Sequence, residues 1–130
     1  MNRSQQASRF GKLVEIKAAE RYGLVLDHSE VQGVRRDART SDGRPVDIKG
    51  AMSNRKSGPG RFRLWKDQHD MLTAESGDYV FVRYQGREAG IAIHGMKRVE
   101  ASDIRVEWGG SGSHRRGSQQ AKILATSLFE

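Results

Sequence analysis

The chain has 130 residues and a formal net charge of +7, the size of one ordinary domain, and its clustered 35% of hydrophobic residues allow one modest core. It has no cysteine, which excludes disulfides, a thiolate nucleophile and cysteine-type zinc sites. No apolar run approaches the ~18 residues of a membrane span and none follows Met1, so the expected location is the cytoplasm.

The first predicted element is a helix from about Ser4 to Tyr22, with Ser4 as N-cap and Gly23 as the residue just past its end. Phe10, Leu13, Val14 and Ala18 recur at helical spacing as the buried stripe, and Glu15 stands at its edge. Leu24 to Leu26 form a short strand. Glu30 to Thr40 and Arg44 to Met52 then read as a hairpin around Ser41, Asp42 and Gly43. A three-residue hairpin loop commonly ends on a residue in the left-handed region, a natural place for Gly43. That loop pairs Thr40 with Arg44, and therefore Asp37 with Asp47 and Arg35 with Lys49. Opposed residues share a face of the sheet. A two-residue loop would shift the register by one and send the two aspartates to opposite faces.

Further along, 53–60 and 109–117 are rich in glycine and base, and are expected to be mobile loops. Leu64 to Ser76 reads as a second helix, ended by Gly77. Asp78 to Tyr84 is a strand, Gln85 and Gly86 a turn, and Arg87 to His94 its partner strand. Ile104 to Trp108 is a further short strand, and Ala121 to Phe129 suits either a helical turn or a closing strand. The order predicts one mixed α/β domain with a core over about 4–94 and a C-terminal extension over 95–130.

The local feature richest in chemistry is Val46, Asp47, Ile48, Lys49. Alternation at period two buries Val46 and Ile48 and turns Asp47 and Lys49 to the other face, about 7 Å apart along the strand. Asp37, across the ladder, adds a second carboxylate. Two converging carboxylates repel, and one protonates unless a cation is present. A hard divalent ion such as Mg²⁺, with Mn²⁺ as substitute, resolves that conflict and suits phosphodiester hydrolysis. Glu15 is a candidate third ligand, and Lys49 would place positive charge on the phosphate or orient water. Asp27 and Glu30 are rivals for the first acid. The bland alternative is a hairpin with two surface ion pairs, Asp37 with Arg35 or Arg36 and Asp47 with Lys49.

Charge placement supports a polyanionic partner. Between Gly33 and Lys66 there are ten Arg or Lys and three Asp, which equals the whole net charge. Arg35, Arg36, Arg39, Arg55, Lys56, Arg61 and Arg63 are candidate phosphate contacts, and His114, Arg115 and Arg116 make a second basic loop. Gln68 is a candidate helper that positions water or phosphate. Phe62 and Trp65 read as core, Trp108 as a core or interface anchor, His69 as an exposed helix residue, and His28 and His94 as structural.

This run of elements, from the first helix to Tyr84, resembles the PD-(D/E)XK nuclease superfamily, and within it the archaeal-type Holliday junction resolvases. The carrying segments are Lys12 to Ile16 with Glu15, Tyr22 to Leu26, Arg36 with Asp37, Asp47 to Lys49, Trp65 to Gln68, and Asp78 to Val82. Arg36 stands where the family has proline, and Arg87 to Glu130 has no counterpart in the family pattern. The resemblance implies a restriction-endonuclease-like mixed β-sheet flanked by helices. It also implies a Mg²⁺-dependent, structure-selective DNA endonuclease acting as a homodimer. The Tyr79–Phe81 strand and the tail are the candidate dimer surfaces in the sequence. The alternatives are a restriction-like, nicking or repair nuclease on the same scaffold, an RNA-processing nuclease, and a non-catalytic DNA-binding module.

Overall fold

The structure, a computed structural model, describes residues 3–54, 58, 60–109 and 119–129. Helix α1 (Arg3–Tyr22) comes first, followed by four two-residue strands: β1 (Val25–Leu26), β2 (Glu30–Val31), β3 (Val34–Arg35) and β4 (Ala38–Arg39). Then come β5 (Pro45–Met52), β6 (Arg61–Trp65), helix α2 (Lys66–Ala74), β7 (Asp78–Arg87), β8 (Gly90–Glu100) and β9 (Gln120–Leu124). Short 3₁₀ turns occupy Ala101–Asp103 and Ala125–Leu128. The main sheet has five strands in the order β1-β4-β5-β7-β8, with β5 and β7 parallel and every other neighbouring pair antiparallel. The expected mixed sheet flanked by helices is the fold observed.

Alternation along β5 and β7 divides the core between the two faces. Val46 and Ile48, with Val80 and Val82, pack under α1 against Val14 and Ala18. Tyr79 and Phe81 face the other way, under α2, with Leu72, Met71, Phe62 and Leu64. Of the stripe read from the sequence of α1, Phe10, Val14 and Ala18 are buried and Leu13 is half-buried, and Gly23 ends the helix in the left-handed region at φ 63°. The helix begins at Arg3, so Ser4 lies inside its first turn rather than capping it.

The bend at Ser41–Gly43 sets the predicted register: Arg39 pairs with Pro45, the Thr40 N–H donates to the Arg44 carbonyl at 2.9 Å, and Gly43 has φ 88°. The Thr40 hydroxyl also accepts from the Arg44 N–H at 3.0 Å and bonds Asp42. That bond, and then Arg44, hold the Asp42 carboxyl below its ordinary range.

Five expectations need correction. The long first strand of the hairpin is broken: after Ala38 and Val46 the ladder stops, and Glu30 to Arg35 fold into their own small hairpin, with Glu30 opposite Arg35. Gln32 and Gly33, both at positive φ, make its two-residue turn. Arg35 consequently does not face Lys49. Leu64 and Trp65 belong to β6 and not to the second helix, because β6 pairs residue for residue with β9. Gly86 is not a turn. Strands β7 and β8 run past it to a bend at Glu88 and Ala89, and a Cβ on Gly86 would meet the Phe10 ring at 2.6 Å. Ile104 to Trp108 is not a strand. Tyr79 and Phe81 are wholly buried, so no dimer surface is built from them. The tail, left open between two forms, takes both: β9 and then a 3₁₀ turn, with Ala121 and Ala125 buried in the α2-side core.

Helix α2 ends in a Schellman arrangement. Ser76, at φ 57°, takes the left-handed position, and the Gly77 N–H reaches the Leu72 carbonyl at 2.6 Å. Gly77 is required for a different reason. A Cβ there would lie 2.5 Å from the Pro45 carbonyl oxygen and 2.9 Å from Leu72 Cδ2. Gly77→Ala is expected to cost about 1–3 kcal/mol by forcing β5 and α2 apart. Urea unfolding measures this, and an unchanged midpoint would show that the close approach is not real.

Candidate active site

Asp37 stands where the β4–β5 ladder ends. Its N–H donates to the Val46 carbonyl at 3.1 Å, and its side chain takes over from the missing strand by accepting the Ile48 N–H at 2.8 Å. The carboxyl is thereby held against β5, hydrogen-bonded to the carboxyl of Asp47. Asp47 is 2% exposed and lies on the α2 face of β5, beside Tyr79 of β7. Its Oδ2 has no hydrogen-bond partner, only the Lys49 ammonium at ion-pair distance, 2.9 Å. The same ammonium donates to Gln68 Oε1 at 3.2 Å, and Gln68 Nε2 reaches the Arg35 carbonyl at 3.5 Å. Gln68, on the first turn of α2, therefore fixes Lys49 and ties the β2–β3 hairpin to the site.

The electrostatics follow from this crowding. Burial, then the hydrogen bond and the charge of Asp47, push the Asp37 carboxyl up to about 8, with Glu15 adding in the same direction and the Ile48 N–H opposing. Burial, and after it the charge of Asp47, also push the Tyr79 phenol above its ordinary value. Tyr79 bonds His69 Nδ1 at 3.0 Å, and the two rings stack. His69 is thus half-buried under Trp108 rather than exposed.

Glu15 arrives from the far side, off α1. Donor atoms of Glu15, His28 and Asp37 lie within 4.8 Å of one another, the one such group of three or more among the described residues. Asp47 stands outside that trio and joins it through Asp37. The structure therefore gathers Glu15, Asp37, Asp47, Lys49 and Gln68 in one place, and adds His28, which reads as structural from the sequence alone. Its position two residues past the end of a two-residue strand carries no periodic signal. Asp27, the rival acid, is engaged elsewhere: it accepts from Arg36 at 2.9 Å and Arg39 at 3.3 Å. Glu30 sits exposed in β2.

Of the candidate phosphate contacts, Arg35 is exposed on β3, while Arg36 and Arg39 pair with Asp27. Arg61 and Arg63 lie on the exposed face of β6, and Lys122 stands directly opposite Arg63 on β9. Lys122 escapes sequence reasoning because the tail suits two forms, which conceals its partner strand. Arg55, Lys56, His114, Arg115 and Arg116 lie outside the described residues.

A buried acid pair at the end of a strand ladder, with a lysine one alternation further on, is the arrangement expected from the motif. The family model described as a PD-(D/E)XK nuclease superfamily domain matches residues 1–130. The chain belongs to the PD-(D/E)XK nuclease superfamily. No curated protein and no solved structure gives a significant match. A PD-(D/E)XK domain is a nuclease scaffold, and nucleases of this superfamily typically use a divalent metal. The donors present here fit such an ion, since the carboxylates of Glu15 and Asp37 and the His28 imidazole lie within 4.8 Å of one another, with the buried carboxyl of Asp47 next to Asp37.

In the metal-free protein the raised Asp37 value has a definite consequence for stability. An unfolded aspartate titrates near ~3.9. The folded carboxyl keeps its proton to about pH 8, so its contribution is fully present below the unfolded value and is lost as pH rises through the folded one. The stability of the parent relative to Asp37→Asn is expected to fall between about pH 4 and pH 8. Chemical denaturation of both proteins across that window measures it, and a constant difference would mean that the two carboxyls are not in contact.

Proposed function

We propose that the chain is a metal-dependent, structure-selective DNA endonuclease, most like an archaeal-type Holliday junction resolvase, acting as a homodimer. The observation that carries the endonuclease reading is the Asp37–Asp47 carboxyl pair with Lys49 at 2.9 Å from Asp47. The junction preference and the dimer rest on the resemblance of the helix and strand motifs described above.

Asp37, Asp47 and Glu15 would hold the divalent ion, Mg²⁺ or Mn²⁺ in its place. When bound, it supplies Lewis-acid polarisation of the phosphodiester and a lowered pKa for water. Lys49 pairs with Asp47 at 2.9 Å on the same face, where it would steady negative charge developing on the phosphate. Gln68 holds the Lys49 ammonium in place. Arg61, Arg63 and Lys122 form an outer cationic strip on the β6–β9 ribbon that would take phosphates of the duplex arms.

The test is cleavage of a labelled four-way junction and a matched linear duplex, with and without Mg²⁺. Asp47→Asn and Lys49→Ala, checked for folding by circular dichroism, are expected to bind the junction yet lose about 10²–10³-fold in cleavage rate. Parental cutting by Asp47→Asn would end the metal-site reading. Equal cutting of junction and duplex would leave a restriction-like, nicking or repair nuclease in place of a resolvase, and cutting of a matched RNA duplex would point to RNA processing.

Replacing Arg61, Arg63 and Lys122 together by alanine is expected to weaken DNA binding regardless of sequence. The slope of log affinity against log salt should fall by roughly 0.9 for each phosphate that the variant no longer neutralises. An unchanged slope would show that the ribbon does not touch DNA.

A further inference from the structure

We propose that His28 is a ligand of the metal centre, through its Nε2 atom, and that the site is therefore selective for a first-row transition ion over Mg²⁺. The inference rests on the reading of Asp37 as a metal ligand and adds a donor of a different chemical kind.

Three observations converge on it. His28 Nε2 lies 2.5 Å from Glu15 Oε1, and donor atoms of His28, Glu15 and Asp37 lie within 4.8 Å of one another. The segment that carries His28 is braced. Asp27 Oδ1 accepts the Ser29 N–H at 3.1 Å, and Asp27 Oδ2 is clasped by Arg36 and Arg39. The Asp27 N–H donates to the Asp37 carbonyl at 3.0 Å, and the Arg36 N–H to the Ser29 carbonyl at 3.1 Å. His28 is thus tied, residue by residue, to the backbone of the very aspartate it adjoins. Finally, the trio opens to solvent on the His28 side, where the imidazole is 39% and Glu15 22% exposed, while next to Asp37 the buried Asp47 Oδ2 has no hydrogen-bond partner.

Donor chemistry then decides the class of ion. Mg²⁺ takes oxygen ligands in a near-ideal octahedron and gains little from imidazole. Imidazole is a good ligand for first-row transition ions, whose affinity for nitrogen donors exceeds that of Mg²⁺. One nitrogen among carboxylates thus tilts the site away from Mg²⁺. An imidazole that merely hydrogen-bonds Glu15 would leave the choice of ion untouched.

Mn²⁺ is the probe, because its bound form reports directly on ligand nuclei. The full chain, free of any affinity tag, is loaded with Mn²⁺ and studied by electron spin-echo envelope modulation, alongside folded His28→Asn and Asp37→Asn proteins. The expected result is a ¹⁴N coupling in the parent that is absent in His28→Asn, with Mn²⁺ affinity there reduced by roughly tenfold or more. Mg²⁺ affinity, measured by competition, should change by no more than about twofold. Mn²⁺ bound in the parent without ¹⁴N coupling, and absent from Asp37→Asn, would overturn the role of His28 and leave the metal centre standing. Failure of Mn²⁺ to bind, or binding that survives Asp37→Asn, would overturn the metal centre itself and this inference with it.

Discussion

The contact on which the site depends is the hydrogen bond from the Ile48 N–H to the Asp37 side chain, at 2.8 Å. It stands where a continuing β4 would have placed a main-chain group. By ending the ladder one residue early, the chain frees Asp37 to lean on β5, and there its carboxyl meets that of Asp47. A regular strand would have kept the two side chains merely opposite one another. The broken strand brings them into contact and opens the side from which Glu15 and His28 approach.

The cost of that contact is borne by several neighbours. Two carboxyls cannot both be ionised at hydrogen-bond distance in a buried place, so Asp37 holds its proton to about 8 in the absence of another cation. Lys49 offsets the charge of Asp47, and Gln68 fixes the Lys49 ammonium. Because Gln68 lies on the first turn of α2, which follows β6 directly, the β6–β9 ribbon and α2 together set the position of the lysine. The α2-side core, with Phe62, Leu64, Tyr79 and Phe81 wholly buried, keeps that assembly rigid.

Much of this was legible in the sequence because it rests on period-two patterning and turn chemistry. The Ser41–Gly43 bend set the register, and the alternation from Val46 to Lys49 assigned faces that the structure keeps. What was not legible came from long-range packing. Gly86 looks like a turn residue until Phe10, far away in sequence, is laid across it. Leu64 and Trp65 fit a helical stripe, yet β9, more than fifty residues on, captures them as a strand. Local periodicity also gave no reason to stop the first hairpin strand at Ala38, since Gln32 and Gly33 can make a turn of their own only if the sheet leaves room for it. His28 belongs to the same class: nothing in its neighbours' spacing shows that α1 will deliver Glu15 to it.

The clasp of Asp27 on Arg36 and Arg39 changes the meaning of the net charge. A formal excess of +7 suggests a broadly attractive surface, but two of the arginines nearest the acid pair are already neutralised in part by their own chain. The field that draws in a polyanion is therefore uneven. It is subdued at the mouth of the site and stronger on the ribbon, where Arg61, Arg63 and Lys122 have no carboxylate partner among the described residues. On the reading proposed above, an incoming phosphate chain would first be caught at the periphery and only afterwards compete with Asp27 for the inner guanidiniums, so that capture and seating would be separate electrostatic events.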